Sequence, residues 1–338
     1  MNYFKARGIM LPEVSVHFDS AYEYRNRMDF VFTKEGLGLR EKGEWKKLLH
    51  VAQCPISNAK LNSLLKEIND WFLHVRPDVF DVQATTGTFR YAVIRAPQHT
   101  DDSAICFILN RDSPILEAQK KLILEFAKTT SAKNVLIGTV ISKTDMSVSD
   151  DAVAVKGGTH VTEKLLGKKM TYHSQAFFQN NTIMAEQMIA HVKKEIGNGK
   201  TLIDLYGGAG TFGVSLADSF EKTIIIDNVL GNIEQAKENI AHNNVNAEAR
   251  CADANVLAEY NGDITLIVDP PRAGLHPKVV AAIKQLRPKT LIYISCNPEQ
   301  LAKEATLLGY NVKTLGVFDL FPQTEHIEAI ATLAPKTL

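Results

Sequence analysis

Asp204-Leu-Tyr-Gly-Gly-Ala-Gly210-Thr-Phe-Gly213 decides how the second half of the chain is read. It straddles the end of an apolar run, Thr201–Tyr206, and the start of a segment with helical spacing, Thr211–Phe220. Glycines let the backbone turn sharply and approach a ligand, and the helix behind them supplies free N–H groups. The next apolar run, Thr223–Asp227, ends in a carboxylate, placed where an acid accepts hydrogen bonds from a ribose diol. This is the opening of a sheet that holds a nucleoside cofactor. Gly208-x-Gly210-x-x-Gly213 satisfies the dinucleotide fingerprint, so an NAD dehydrogenase is one reading. Asp204, just inside the loop, points instead to the loop type that positions S-adenosylmethionine. A turn that binds nothing fits poorly with Asp227 in register.

Outward from this loop, helices and strands alternate. Helix Thr182–Ile196 precedes the loop; after it come helix Ile233–Asn243 and strands Ala247–Ala252 and Ile264–Val268. Helix Lys278–Leu286, strand Thr290–Ser295 and helix Pro298–Leu308 complete the alternation. The pattern predicts an α/β, doubly wound, mostly parallel sheet over residues 171–338. Asn311–Asp319 and Ile327–Leu333, joined by the Phe321–His326 loop, add an antiparallel C-terminal edge. Residues 1–170 read as a separate α+β domain. Its strands are Met28–Thr33, Phe80–Thr85, Thr88–Arg95, Ala104–Leu109 and Val135–Ser142, expected antiparallel, with a hairpin turn at Thr86-Gly87. Helices are expected at Asn58–Leu73 and Pro114–Thr130, and strands at Val161–Leu166 and Lys169–His173 after Gly157-Gly158.

Composition sets the outer limits. The 338 residues are 45% apolar and 22% charged, a globular mix large enough for two domains. No stretch approaches the roughly 20 apolar residues of a membrane span, and no secretory leader follows Lys5 and Arg7, so a soluble, cytoplasmic protein is expected. Lys plus Arg, 38, balance Asp plus Glu, 38. The halves differ slightly: residues 1–170 hold 24 basic and 20 acidic side chains, the remainder 14 and 18. A mildly basic front half is compatible with RNA but is equally an ordinary solvated surface. The cysteines, 54, 106, 251 and 296, lie far apart, which argues against a metal site or a disulfide framework.

Two further motifs lie at carboxyl ends of predicted strands, the edge where open α/β sheets bind ligands. One is Asp269-Pro-Pro-Arg272-Ala-Gly274, the other Tyr293-Ile-Ser-Cys296-Asn-Pro298. Prolines after an acid fix a loop against a planar substrate. Amino-methyltransferases carry an aromatic residue where Arg272 stands, which argues against methylation of an exocyclic nitrogen. A lone cysteine is usually a small core residue. Cys296, however, leaves the core at the ligand edge just before a helix N-terminus, which favours a thiolate. A nucleophile suits uracil: thiolate addition at C6 makes C5 able to attack a methyl sulfonium. A base must then remove the C5 proton, and Glu325 and Glu328 are the local alternatives, each a surface carboxylate otherwise.

These residues resemble the RNA uracil-C5 methyltransferase family, which modifies transfer RNA or large-subunit ribosomal RNA. The resemblance rests on Asp269-Pro-Pro-Arg-x-Gly, Tyr293-x-Ser-Cys-Asn-Pro and Phe321-Pro-x-Thr-x-His-x-Glu328, with Phe177-Phe-Gln179-Asn180 before the first helix. It is looser in Tyr24-Arg-Asn-Arg-Met-Asp-Phe30 and Cys54-Pro-Ile. It implies a class I, Rossmann-like methyltransferase sheet, an RNA-binding front domain, Cys296 as nucleophile and Glu328 as base. Gln179, Asp204, Tyr206, Gly208, Gly210, Thr211, Asp227, Asp253 and Asp269 would hold S-adenosylmethionine, with Asp269 and Arg272 at the uracil or the RNA. Base flipping is implied as well.

Several positions depart from the family pattern. The chain has no room for the N-terminal barrel before Tyr24 and lacks the iron–sulfur cysteines, so no cluster is expected, and Gly207, Thr211 and Gln300 replace the usual residues. The expectation is a cytoplasmic RNA uridine C5-methyltransferase, transfer RNA favoured over ribosomal RNA, with no membrane or protein partner. An RNA cytosine-C5 methyltransferase and a non-catalytic RNA-binding protein are the rivals.

Overall fold

The computed structural model describes residues 2–336. Two compact units interleave along the chain. One comprises the residues up to Ser20, Lys164–Thr171 and everything from Asn181; the other comprises Ala21–Glu163 and Tyr172–Asn180. The chain therefore changes unit near residues 20, 163, 171 and 180, where sequence patterning suggested one boundary at 170.

The first unit is built on eight strands: β1 (Val14–His17), β2 (Gly199–Leu205), β3 (Phe220–Asp227), β4 (Ala247–Cys251), β5 (Ile264–Val268), β6 (Thr290–Ser295), β7 (Tyr310–Phe318) and β8 (Glu328–Pro335). Their order across the sheet is β1-β7-β8-β6-β5-β2-β3-β4. Every pairing is parallel except the two that β8 makes with β6 and β7. The chain winds outward from β2 to β4, then returns to β5 on the other side of β2. That reversal opens a crevice at the carboxyl ends of β2 and β5. Residues such as Leu202, Ile203, Ile225, Leu266 and Ile267 are almost wholly buried, as befits strands covered on both faces. Beyond the antiparallel pair lies β1, a strand that sequence patterning missed because it is short and mostly exposed.

Helices α1 (Thr182–Ile196), α2 (Thr211–Leu216), α3 (Leu230–Asn243), α4 (Pro277–Leu286) and α5 (Pro298–Leu308) cover this sheet. Their starts are chemically specified: Asn181 and Asn297 cap α1 and α5 through their side chains, and Pro277 and Pro298 open α4 and α5. Helix α2 is shorter than expected. It tightens into a 3₁₀ turn at Ala217–Ser219 so that Phe220 can begin β3. Asn239 of α3 is fully buried. Its amide pairs with both main-chain groups of Thr171 (2.7 and 2.9 Å) and donates to Ala209 O at 3.0 Å. One side chain thus ties the 164–171 segment to the glycine loop.

The second unit is a seven-stranded sheet in the order Glu44–His50, Gly36–Glu41, Arg27–Thr33, Phe89–Arg95, Ala104–Asn110, Asn134–Val140 and Val153–Lys156. Helices Ala59–Val75 and Leu116–Thr129 supply apolar faces to a core rich in rings, among them Phe32, Phe72, Phe89, Phe107 and Phe126. Three expectations change here. Ala104–Asn110 and Asn134–Val140 pair in parallel, because helix Leu116–Thr129 makes a crossover between them. The expected strand Phe80–Thr85 is a turn instead: the Asp81 carboxylate accepts from Gln83 N and Ala84 N, and Thr85 has φ of 54°. Glu44–His50 is an edge strand concealed by its charged residues, and Gly36–Glu41 beside it was concealed by its glycines.

Replacing Asn239 with Ala removes the acceptor that Asn239 offers Thr171 N–H and the donor it offers two carbonyls. Denaturant unfolding should show a loss of about 2–3 kcal/mol.

Candidate active site

Parallel register brings three strand ends level: Leu205 pairs with Val268, and Val268 with Tyr293. Asp269 leaves β5 and Cys296 leaves β6 on the same edge. Strand β8 runs the other way, so its first residue arrives where its neighbours end. Ser295 pairs with Ala329, and the same register sets Cys296 opposite Glu328.

The glycine loop is shaped from beneath. Tyr206, Gly208 and Gly210 have φ of 64°, 56° and 88°, and Gly210 N closes the turn on Gly207 O at 2.8 Å. Asp204 is buried, and its Oδ2 accepts from Gly213 N at 2.7 Å, while Oδ1 has no hydrogen-bond partner among the described residues. A Cβ at Gly213 would lie 2.5 Å from Ile225 Cγ1 and 3.0 Å from the Asp204 carboxylate, so only glycine fits. Burial pushes Asp204 up to about 7 despite the Gly213 N–H, with Asp269 and Asp227 adding repulsion. Asp227, at the end of β3, accepts from Gly208 N (3.0 Å), Val229 N (2.9 Å) and Asn232 Nδ2 (3.2 Å). Gly208 has open space where a side chain would stand.

Across the crevice, four ionisable groups act on one another. Burial raises the Cys296 thiol, Glu328 and Asp269 raise it further, and Arg272 opposes them. Burial raises Asp269 to about 7. Glu328 stands well above the usual glutamate range through burial and the repulsion of Asp269. A thiolate at Cys296 was expected from the helix that follows it. The first N–H groups of α5 are already used, however: Asn297 Oδ1 takes Gln300 N, and Asn297 O takes Leu301 N.

The structure therefore brings together Asp204, Tyr206, Gly208, Gly210, Thr211, Asp227, Asp269, Arg272, Cys296 and Glu328 on one sheet edge of one unit. Asp253 is exposed after β4, ahead of a 3₁₀ turn. Gln179 belongs to the other unit, where its carbonyl accepts from Asn26 Nδ2 at 3.0 Å. Glu325, the alternative base, is exposed in the turn fixed by Thr324 Oγ1 on Phe321 O. Sequence patterning passed over Glu304, buried in α5. Its signal was an acid inside the apolar stripe Leu301, Ala302, Ala305, Leu308. Among the described residues there is no cluster of three or more His, Cys, Asp or Glu able to hold a metal. No helix among them is long and apolar enough to cross a membrane.

A sequence model of the tRNA (uracil-5-)-methyltransferase family matches residues 136–252 and 247–336. The chain belongs to that family. As a member it is a methyltransferase of the uracil-C5 class, and the fold agrees. A tRNA (uracil(54)-C(5))-methyltransferase of Pyrococcus horikoshii is 31% identical, over 92% of this chain and 74% of that protein. One from Pyrococcus abyssi is 30% identical over the same shares. The crystal structure of the Pyrococcus abyssi tRNA (uracil-54, C5)-methyltransferase with S-adenosyl-L-homocysteine superposes with a TM-score of 0.83 at 28% identity. That match covers 98% of this chain and 81% of that one.

Asp204 also makes a stability prediction. A carboxyl held near 7 when folded, against 3.8 when free, keeps its proton while the unfolded chain loses it. The resulting penalty is absent below the lower value and complete above the higher one. Asp204→Asn keeps an acceptor for Gly213 N and removes the charge. Its melting temperature relative to the unsubstituted protein should therefore rise between pH 4 and pH 7 and level off above.

Proposed function

We propose that this protein transfers a methyl group from S-adenosylmethionine to C5 of a uridine in transfer RNA, with Cys296 as nucleophile and Glu328 as base. The observation that carries the reading is the β6–β8 register, which sets a cysteine against a half-buried carboxyl at the ligand edge of the sheet. The names of the relatives support transfer RNA as the substrate class.

The glycine loop suits the cofactor. Gly208 leaves its face open, and the Asp227 carboxylate stands beside it for the ribose diol. S-adenosylmethionine supplies a methyl group on a sulfonium. The Cys296 thiolate would add to C6 of the uracil ring, and the electron pair gained at C5 would form the bond to that methyl as the methyl–sulfur bond breaks, its electrons staying on the departing thioether. Glu328 accepts the C5 proton at its carboxylate. The C5–H electrons re-form the C5–C6 double bond, and the C6–S bond breaks to release the thiolate. Arg272 is the cation that favours this thiolate against Asp269 and Glu328. A stacked uridine does not offer C6 to a protein sulfur, so the base must be extruded.

Incubation with labelled S-adenosylmethionine and unmodified transfer RNA, then nucleoside digestion and mass spectrometry, should give 5-methyluridine. Cytidine methylation or no product would overturn the reading. Cys296→Ala should lose product at least ~10³-fold while retaining cofactor binding. Glu328→Gln should transfer methyl but accumulate a covalent protein–RNA adduct.

A pH profile gives a separate check. Glu328 must be ionised to act, and its value is raised. Turnover should climb with pH above the ordinary glutamate range. Asp269→Asn removes the repulsion and should move that acid limb to lower pH, whatever its effect on the maximum.

A further inference from the structure

The acid in the middle of α5 has no place in the chemistry above, yet it touches the loop after β5 and the strand that leads into Cys296. Glu304 is 3% exposed. Its oxygens accept from Leu275 N (3.0 and 3.2 Å), from the Tyr293 hydroxyl and from Gln300 Nε2. Leu275 ends the loop that begins with Asp269 and contains Arg272. Tyr293 lies three residues before Cys296. Gln300 is one of the positions that depart from the family pattern, and here it is a donor to this carboxylate. Gly274, with φ of 84°, completes the fit: a Cβ there would stand 2.2 Å from Glu304 Oε1 and 2.6 Å from Gln300 Cγ. The carboxylate fills the space that a side chain at 274 would take. Asn297 adds a parallel strap, its Nδ2 donating to Arg272 O at 3.3 Å. The charge of Glu304 also acts on Tyr206 in the glycine loop.

We infer that Glu304 is a positioning residue for the methyl transfer: its carboxylate locks the Asp269–Leu275 loop to β6 and α5, which flank Cys296, and so holds Arg272 where it acts on the nucleophile. This rests on the reading of Cys296 above. A buried, satisfied acid that merely stabilised the fold would not alter Cys296 once the protein had folded. Glu304 would alter it, in a direction opposite to that of its own charge. Deleting a nearby negative charge lowers a thiol pKa or leaves it alone, whereas releasing Arg272 raises it.

The test is the rate at which iodoacetamide alkylates Cys296, followed against pH by peptide mass spectrometry in the full chain carrying Cys251→Ser. Glu304→Gln preserves volume but removes the charge and replaces one of the two accepting oxygens with a donor. It should raise the titration midpoint by about half a unit to one unit. Gly274→Ala changes no charge and should shift the midpoint the same way; it carries the test if Glu304→Gln does not fold. Arg272→Gln sets the scale, and adding Glu304→Gln to it should produce no further rise. A midpoint unchanged or lowered in both Glu304→Gln and Gly274→Ala, or a double variant whose shifts add, overturns the inference.

Activity separates this from the functional reading. Loss of kcat of about tenfold with an unchanged KM for S-adenosylmethionine would accompany the shift. A midpoint shift in a protein that methylates no RNA would retain Glu304 as a positioning residue and refute the proposed function. Normal 5-methyluridine formation with no midpoint shift would do the reverse.

Discussion

The active edge depends on the direction of the last strand. In a doubly wound sheet, parallel strands deliver only their carboxyl ends to the ligand side. Had β8 run with its neighbours, Glu328 would lie about 20–25 Å from Cys296, the length of the strand itself. Running antiparallel, it brings its first residue to the edge where β6 delivers its last. The strand is paired on both sides, Ala329–Leu333 against Ser295–Leu291 on one, and a slip of one residue would turn Glu328 to the opposite face. Strand β7 holds β8 from the other side, pairing Phe318 with Glu328, and the His17 ring of β1 stacks on Phe318 at 4.3 Å. The short N-terminal strand thereby covers the ring of Phe318, the residue paired with Glu328.

That arrangement concentrates acid. Asp204, Asp227, Asp269 and Glu328 gather at strand ends, and Arg272 is the cation that acts on Cys296. Burial and mutual repulsion favour neutral carboxyls at Asp204, Asp269 and Glu328 and a protonated thiol in the resting protein. Such a site is ill-suited to standing ion pairs and well-suited to proton transfer, because small changes in charge decide which group ionises. A bound sulfonium is itself a cation, and its charge would draw these groups toward their ionised forms. On the role proposed for Cys296, a bound methyl donor would offset the charges that raise its thiol.

Sequence patterning reached the catalytic unit more easily than the front half for a physical reason. Strands such as Ile264–Val268 are buried on both faces and read as continuous apolar runs. The loops between them carry glycine, proline and cysteine, whose backbone limits and reactivity mark each position chemically. Glu44–His50 lacks such a run because most of its residues face solvent, and in Gly36–Glu41 the run is interrupted by Gly38. Phe80–Thr85 was apolar enough to pass as a strand, but the Asp81 carboxylate captured two backbone N–H groups and turned the chain. The interleaving of the two units is invisible to composition, because Tyr172–Asn180 changes unit without changing character. At the site, the residues with chemical signatures were legible. Glu304 was not, since an acid in an apolar stripe is interpretable only once its partners are known.

Asp204 and Glu304 solve the same problem in two loops. Each is buried beneath a loop on the ligand edge, and each accepts a backbone N–H from it, Gly213 and Leu275 respectively. Each lies against a glycine whose missing Cβ leaves space for the carboxylate, Gly213 at 3.0 Å and Gly274 at 2.2 Å. An apolar side chain in either place would pack at least as favourably, since burying a carboxylate is costly. What an apolar side chain lacks is direction. A carboxylate accepting a main-chain N–H fixes the orientation of one peptide plane, and through it the side chains on either side. In the glycine loop that plane aligns the turn with Asp227; in the proline loop it aligns Asp269 and Arg272 with Cys296. The stability forgone beneath these loops is the physical basis for their precision above.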